Sequence, residues 1–180
     1  RYPILANAAG RVATPQIRHQ GTLGGNVAQD TRCWYYRSGW PCYRAGGNTC
    51  YANAPDALNR EHAIFDSNRC VAVTPTDTGP ALVALDAQME IQSVGGTRMV
   101  PAENFFIGPS TDITRMTVME PTDLLTAIHI PGRWAGAMGY FEKVADRGSW
   151  DFALGNVASV LDVQNGTIFE ARIVIGGAAA

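Results

Sequence analysis

Apolar and polar positions alternate from Met89 to Val94, and a second short run, Thr97 to Val100, follows Gly95-Gly96. Period-two runs on either side of a two-residue glycine turn predict a β-hairpin. Leu124 to Ile130 reads as another strand, ended by Pro131-Gly132. Phe152 to Val163 and Ala171 to Ile175 read as paired strands around Gln164-Asn165-Gly166-Thr167, where Asn-Gly is a strong turn signal. Val71 to Thr74 is a short β-branched run and a further strand candidate. Helical signals are fewer. Pro3 to Ala9 reads as the end of a helix stopped by Gly10, and Thr14-Pro15 supplies a cap and a first helical residue. Asp77 is placed to cap a helix through Leu85, with Leu82 and Leu85 three apart on one face. No repeat or low-complexity tract interrupts the pattern. The chain is expected to be α+β, with mostly antiparallel sheet and flanking helices, and to change subdomain between Pro131 and Gly139.

Composition narrows the function classes. Of 180 residues, 46% are apolar and 17% charged, enough to bury a core and to exclude global disorder. A net charge of −2 leaves no basic excess for a phosphate backbone, which argues against nucleic acid as a partner. No stretch approaches the ~18 consecutive apolar residues of a membrane span. No charged n-region with an apolar h-region opens the chain, so cytoplasm is the default compartment, with the periplasm left open. The chain begins at Arg1 and stops in a strand-like run, Ile173 to Ala180, and is therefore expected to be a piece of a longer protein.

The chemistry concentrates in the first half. Cys33, Cys42, Cys50 and Cys70 follow the spacing C-x8-C-x7-C-x19-C, in a stretch rich in Gly, Asn, Arg and aromatics. An irregular loop of this length needs a reason, and a bound inorganic centre is one. Structural zinc sites usually carry closely spaced cysteine pairs, which are missing here. An iron–sulfur cluster tolerates wider spacing. Two disulfides are the other reading, and spacing alone leaves these open. Arg32, Arg37, Arg44 and Arg69 lie beside the cysteines and could offset thiolate charge; solvated surface arginine is the plainer account. Just upstream runs Thr22-Leu23-Gly24-Gly25-Asn26. Paired glycines let backbone N–H groups approach an anion such as a pyrophosphate, and Thr22 and Asn26 add side-chain donors. The run matches neither the dinucleotide fingerprint nor a Walker loop, and an ordinary Gly-Gly turn would explain it alone.

Taken together, these segments resemble a known family. Ala13-Thr14-Pro15-Gln16-Ile17-Arg18 followed by Gly21 to Asn26 is similar to the second flavin-contacting motif of the FAD-binding medium subunits of molybdenum hydroxylases, the xanthine dehydrogenase and carbon monoxide dehydrogenase family. Asp30 to Arg37 and the later cysteines resemble one branch, which includes the 4-hydroxybenzoyl-CoA reductase β subunit and bacterial aldehyde oxidoreductase FAD subunits. The stretch from Cys70 to Ala87, the segment Tyr140 to Asp151 and Ala171 to Gly177 continue the likeness in order.

The resemblance implies FAD contacts at Thr22, Leu23, Gly24, Gly25, Asn26, Asp77 and Lys143. It implies a 4Fe–4S cluster on Cys33, Cys42, Cys50 and Cys70. It further implies a second FAD-binding subdomain over 1–131 with an inserted cluster loop at about 30–70, and the start of a small C-terminal α+β subdomain over 132–180. The family's first flavin motif, in an N-terminal subdomain, is not in this sequence. The implied activity is electron transfer by an oxidoreductase subunit. The implied partners are a molybdopterin-binding subunit and a 2Fe–2S subunit, with NAD or ferredoxin as external donor or acceptor. A zinc- or disulfide-stabilised interaction module is the alternative from another class.

Among the remaining residues, Lys143, Arg147 and Asp151 are four apart and read otherwise as a surface ion-pair series. His19, His62 and His129 form no metal spacing and read as structural; Asp112, Glu120 and Asp123 read as loop solvation. No Ser-His-Asp or paired-carboxylate arrangement suggests hydrolysis.

Overall fold

The computed structural model describes residues 1–180. Two three-stranded antiparallel sheets carry the chain, as the α+β expectation requires. In the first, β1 (Gln88–Ser93) lies between β2 (Gly96–Pro101) and β3 (Leu124–His129). In the second, β5 (Gly155–Gln164) lies between β4 (Met138–Val144) and β6 (Thr167–Gly176). Six short helices flank them: α1 (Pro3–Gly10), α2 (Pro15–Gln20), α3 (Leu23–Val27), α4 (Trp34–Arg37), α5 (Gly79–Ala84) and α6 (Ala102–Phe105). None is long and apolar enough to cross a membrane.

The hairpins form where the turn chemistry placed them, with one shift of register. Ser93 pairs with Gly96, so the first turn is Val94-Gly95 and not Gly95-Gly96. Gly96 opens β2 at φ 122°, a conformation that excludes most side chains. The second turn is Asn165-Gly166, both residues at positive φ, between paired Gln164 and Thr167. Val71 to Thr74 is no strand. Val71 to Val73 are buried and extended, and the Val71 carbonyl accepts only from the Ala63 N–H, with no neighbouring strand to pair with. The expected strand at Phe152 begins at Gly155. Strand β4 escaped the pattern because its two buried positions are Phe141 and a lysine, Lys143.

Helix α5 divides the core. Ala81, Ala84 and Leu85 pack with Ile4 and Ala8 of α1, Trp134, and Phe141, Ala158 and Val160 of the second sheet. Leu82 instead joins Met89 and Ile91 of β1, Val27 of α3 and Phe105 of α6. Leu82 and Leu85 therefore serve different cores, and the single face expected of them does not exist. Asp77 does not cap this helix either: the Gly79 N–H donates to Thr76 Oγ1 at 3.1 Å. Residues 130–137 connect the two sheets, and the α1–α5 layer packs against the second of them.

Candidate functional site

The glycine motif folds as a helix start. Thr22 caps α3, its Oγ1 accepting the Gly25 N–H at 3.0 Å. Gly24 faces the first sheet: a Cβ there would sit 3.6 Å from the Leu125 side chain. At Gly25 a Cβ would sit 3.2 Å from Thr22 Oγ1, crowding the cap. Asn26 ties the motif to the turn before α5. Its Oδ1 accepts from the hydroxyls of Thr76 (2.7 Å) and Thr78 (2.5 Å) and from the Thr78 N–H (3.4 Å). Thr22 and Asn26 thus spend their side-chain oxygens inside the chain. The Gly25 N–H is taken by that cap and the Asn26 N–H by the Thr22 carbonyl at 3.1 Å, so the Leu23 N–H and the Asn26 amide nitrogen are the donors left at the groove.

These elements form one wall of a groove of about 570 Å³. Thr22, Leu23, Gly25, Asn26 and Asp77 line it; Gly24 and Lys143 do not. Two lining residues carried no sequence signal of their own. Arg18 is a cation at the groove, and Trp150 is held at φ 53° with its N–H on the Ala13 carbonyl at 2.9 Å. A bulky residue in the left-handed region is a strained placement, and such strain concentrates at ligand sites.

Lys143 lies behind the groove. Its Nζ donates to Asp77 Oδ2 (2.7 Å), the Asp151 carbonyl (2.7 Å) and the Arg11 carbonyl (3.2 Å), which uses all three of its protons. Both side chains of the pair are buried, at 4% and 6% exposure. Burial pushes the Asp77 carboxyl up, opposed by Lys143 and by the Asn156 amide. The surface series expected of Lys143, Arg147 and Asp151 is absent, because β4 turns the lysine inward while Arg147 and Asp151 close the loop after it. Asp112, Glu120 and Asp123 are not merely solvated: the first two pair with Arg115 and the third with Arg98.

The four cysteines meet at a separate small pocket. Chain segments far apart in sequence deliver them: Cys33 leads into α4, Cys42 and Cys50 flank a tight turn closed by pairing of Cys42 with Thr49, and Cys70 starts the buried extended run. All four are free thiols. No three of the chain's His, Cys, Asp or Glu side chains are close enough to share one metal ion. Burial pushes the Cys33 and Cys70 thiols up, opposed by backbone N–H groups of Tyr36 and Tyr35 at Cys33 and of Ala72 at Cys70. Those N–H groups are hydrogen-bond donors already aimed at sulfur.

Of the four neighbouring arginines, Arg44 and Arg69 line this pocket, Arg32 lines the groove, and Arg37 is exposed and lines neither. Arg44 is buried, pairs with Asp30 at 2.6 Å and leaves its Nε without a partner. Tyr35, Trp40 and Tyr51 form an aromatic cluster with centroids 4.8 to 6.1 Å apart, and Tyr35 and Tyr51 line the pocket. The loop also depends on Gly47, where a Cβ would lie 1.8 Å from the Pro41 carbonyl oxygen. Gly47→Ala should therefore open the Cys42 turn, and a thiol reagent should modify Cys42 at least about ten-fold faster than in the wild type at equal denaturant.

Residues 1–133 match the profile of the FAD binding domain in molybdopterin dehydrogenase. The chain belongs to this family. Across 99% of its length it is 34% identical to the aldehyde oxidoreductase FAD-binding subunit PaoB of Escherichia coli K12, and covers 55% of that protein. It is 31% identical to the nicotine 6-hydroxylase medium subunit of Paenarthrobacter nicotinovorans, covering 98% of this chain and 44% of that one. Among solved structures, the carbon monoxide dehydrogenase of Hydrogenophaga pseudoflava superposes with a TM-score of 0.65 at 25% identity, over 98% of this chain and 45% of that chain. The chain spans about half the length of the curated relatives it matches. The relatives are FAD-binding or medium subunits of oxidoreductases, and their names carry no mention of an iron–sulfur cluster. The matched residues include the glycine motif; the cysteine pocket has to be argued from the cysteines themselves.

Proposed function

We propose that this chain is the flavin-binding, electron-transferring part of a molybdenum-hydroxylase-type oxidoreductase, with FAD in the groove and a 4Fe–4S cluster in the cysteine pocket. The observation that carries the flavin is the groove itself: a glycine-opened helix start, Asp77 and an aromatic at positive φ converge on one cleft in a chain of this family. Leu23 would offer its backbone N–H and Asn26 its side-chain amide nitrogen, while Thr22 and Gly25 would form the capped turn that presents them. Gly24 lets α3 pack against β3, and Lys143 holds Asp77, so both act behind the contact surface. Trp150 supplies a flat apolar wall.

The cluster rests on the donor set. Four thiols surround one pocket without closing on a single ion, which suits a centre of several metal atoms better than zinc. Backbone N–H groups directed at Cys33 and Cys70, and the cation of Arg44, would stabilise thiolate ligands there. When bound, the two cofactors supply two-electron and one-electron chemistry side by side. The chain's own residues bind them, keep water from the sulfur ligands and set their separation. A molybdopterin-binding subunit and a 2Fe–2S subunit are the proposed partners, with NAD or ferredoxin as the external redox partner.

An anaerobic absorption spectrum of the full-length protein, with iron, acid-labile sulfide and FAD analysis, tests this. The expected result is one FAD and about four iron and four sulfide per chain. Flavin without iron would confine the function to flavin binding. A colourless protein holding zinc or disulfides would leave the interaction module as the better account.

A further inference from the structure

Seven buried side-chain polar atoms of this chain make no hydrogen bond, and three of them belong to residues lining the cysteine pocket: Arg44 Nε and both ring nitrogens of His62. The two cases differ. His62 also lines a neighbouring cavity of about 450 Å³, and a neutral imidazole donates from one nitrogen and accepts at the other. Arg44 lines the cysteine pocket and neither that cavity nor the groove, and its Nε–H can only donate. Its side chain is 4% exposed. The other two nitrogens are engaged: Nη1 donates to the Ile113 carbonyl at 2.9 Å and Nη2 to Asp30 Oδ1 at 2.6 Å, and the guanidinium lies 5.2 Å from the centre of the Tyr36 ring. These contacts hold the guanidinium plane and, with it, the direction of the Nε–H. A buried charged donor left in this way marks a missing acceptor.

We infer that Arg44 donates its Nε–H to an inorganic sulfide of the cluster proposed for the cysteine pocket, and that this hydrogen bond raises the cluster's reduction potential. The inference rests on that cluster. No cysteine sulfur takes the proton, so the acceptor is a group held between the thiols. A sulfide of a 4Fe–4S centre is such an acceptor. Zinc is a cation and accepts no hydrogen bond, and disulfides would bring no new acceptor to the pocket. The charge of Arg44 already reaches the sulfur ligands: burial raises the Cys70 thiol, and Arg44 is among the influences that oppose the rise.

A hydrogen bond to sulfur favours the form that carries more negative charge, which is the reduced one. Asp30 works against it. Its carboxylate holds Arg44 in place and cancels part of the cation's charge, so Arg44 and Asp30 should shift the potential in opposite directions. Asp30 is 44% exposed, and water screens its share more than that of the arginine. A purely structural Arg44, tying the Cys42 turn to Asp30 and Ile113, would produce no such opposition.

The test is a redox titration of the full-length protein at fixed pH, followed by electron paramagnetic resonance. Iron, sulfide and FAD are counted on the same samples. Arg44→Lys keeps a cation for Asp30 and removes the Nε–H. It should make the cluster about ten-fold harder to reduce, a midpoint about 59 mV more negative. Asp30→Asn keeps an acceptor oxygen for the Thr31 N–H and for Arg44 Nη2 and removes the charge. It should make reduction about three-fold easier. Both variants should keep the iron and FAD of the wild type. Unchanged midpoints in iron-bearing variants overturn the inference and leave the cluster standing. Shifts of the same sign also overturn it, because they report a loosened loop. Should Arg44→Lys lose its iron, Asp30→Asn decides: a more positive midpoint keeps the inference and an unchanged one ends it. A wild-type protein with FAD and no iron removes the cluster reading, and this role of Arg44 with it.

Discussion

Cys42→Ser should strip the iron from this protein while leaving its flavin in place. Iron and sulfide are expected to fall from about four to below one per chain, with FAD content unchanged. The separation follows from geometry. Cys42 lines the thiol pocket and not the flavin groove, and the two cavities share no residue. The turn around it is held by its backbone: the Cys42 carbonyl accepts from Ala45 at 2.9 Å and from Gly47 at 2.8 Å, and the Tyr43 N–H donates to the Thr49 carbonyl at 3.0 Å. Replacing sulfur by oxygen leaves those bonds intact, so the cluster-free protein should lose little stability. The cluster-bearing protein should lose much more, because metal binding free energy is folding free energy for a loop of this kind. Proteolysis of residues 30–70 reads that difference. Unchanged iron in Cys42→Ser would end the cluster assignment. Retention of iron but loss of FAD would mean that the two sites are not separate.

Much of this arrangement is legible in the sequence because the signals are local. Asn165-Gly166 forms its turn wherever strands flank it, and Thr14-Pro15 starts a helix, with Thr14 Oγ1 accepting the Ile17 N–H at 3.3 Å. The glycine motif and the cysteines announce themselves by residue type. What the sequence hid depends on distant partners. Lys143 reads as a surface cation until β4 and β5 place it against Asp77, 66 positions away. Asp77 reads as a helix cap because it stands next to one. The cap position is Thr78, the Gly79 N–H is taken by Thr76 Oγ1, and the Asp77 carboxylate turns to the lysine. His62 reads as a structural histidine, and only the fold brings it to the wall of the cysteine pocket. Trp150 carries no pattern at all; its place at the groove comes from a positive φ that no composition rule anticipates. Local turn chemistry survives the search for tertiary partners, whereas the role of a charged residue is decided by what the fold packs against it.

The Asp77–Lys143 pair makes the sharpest energetic prediction. Both side chains are buried, and the lysine joins the end of α1, the loop before β5 and the turn before α5 through three hydrogen bonds. Lys143→Met keeps the length and apolar stem of the side chain and removes the charge. It leaves a carboxylate without its cation, and breaking a buried pair in this way costs roughly 3–5 kcal/mol. The carboxyl is already pushed up by burial, and Lys143 is the leading influence opposing that rise. In Lys143→Met its pKa should therefore climb further.

The sign of the pH dependence follows. A carboxyl raised in the folded state binds its proton there before it does in the unfolded chain, so unfolding releases protons over the interval between the two pKa values. Stability falls as pH rises across that interval and recovers as pH is lowered through the folded value. Urea denaturation should accordingly find Lys143→Met closer to the wild type at pH 5 than at pH 8. Lys143→Met combined with Asp77→Asn should regain part of the loss and lose the pH dependence, because the amide carries no charge to strand. An equal deficit at both pH values would mean that the lysine contributes through its carbonyl contacts to Arg11 and Asp151 and not through Asp77. Recovery in the double variant, with FAD affinity still reduced, would make Asp77 a flavin contact that Lys143 holds in position.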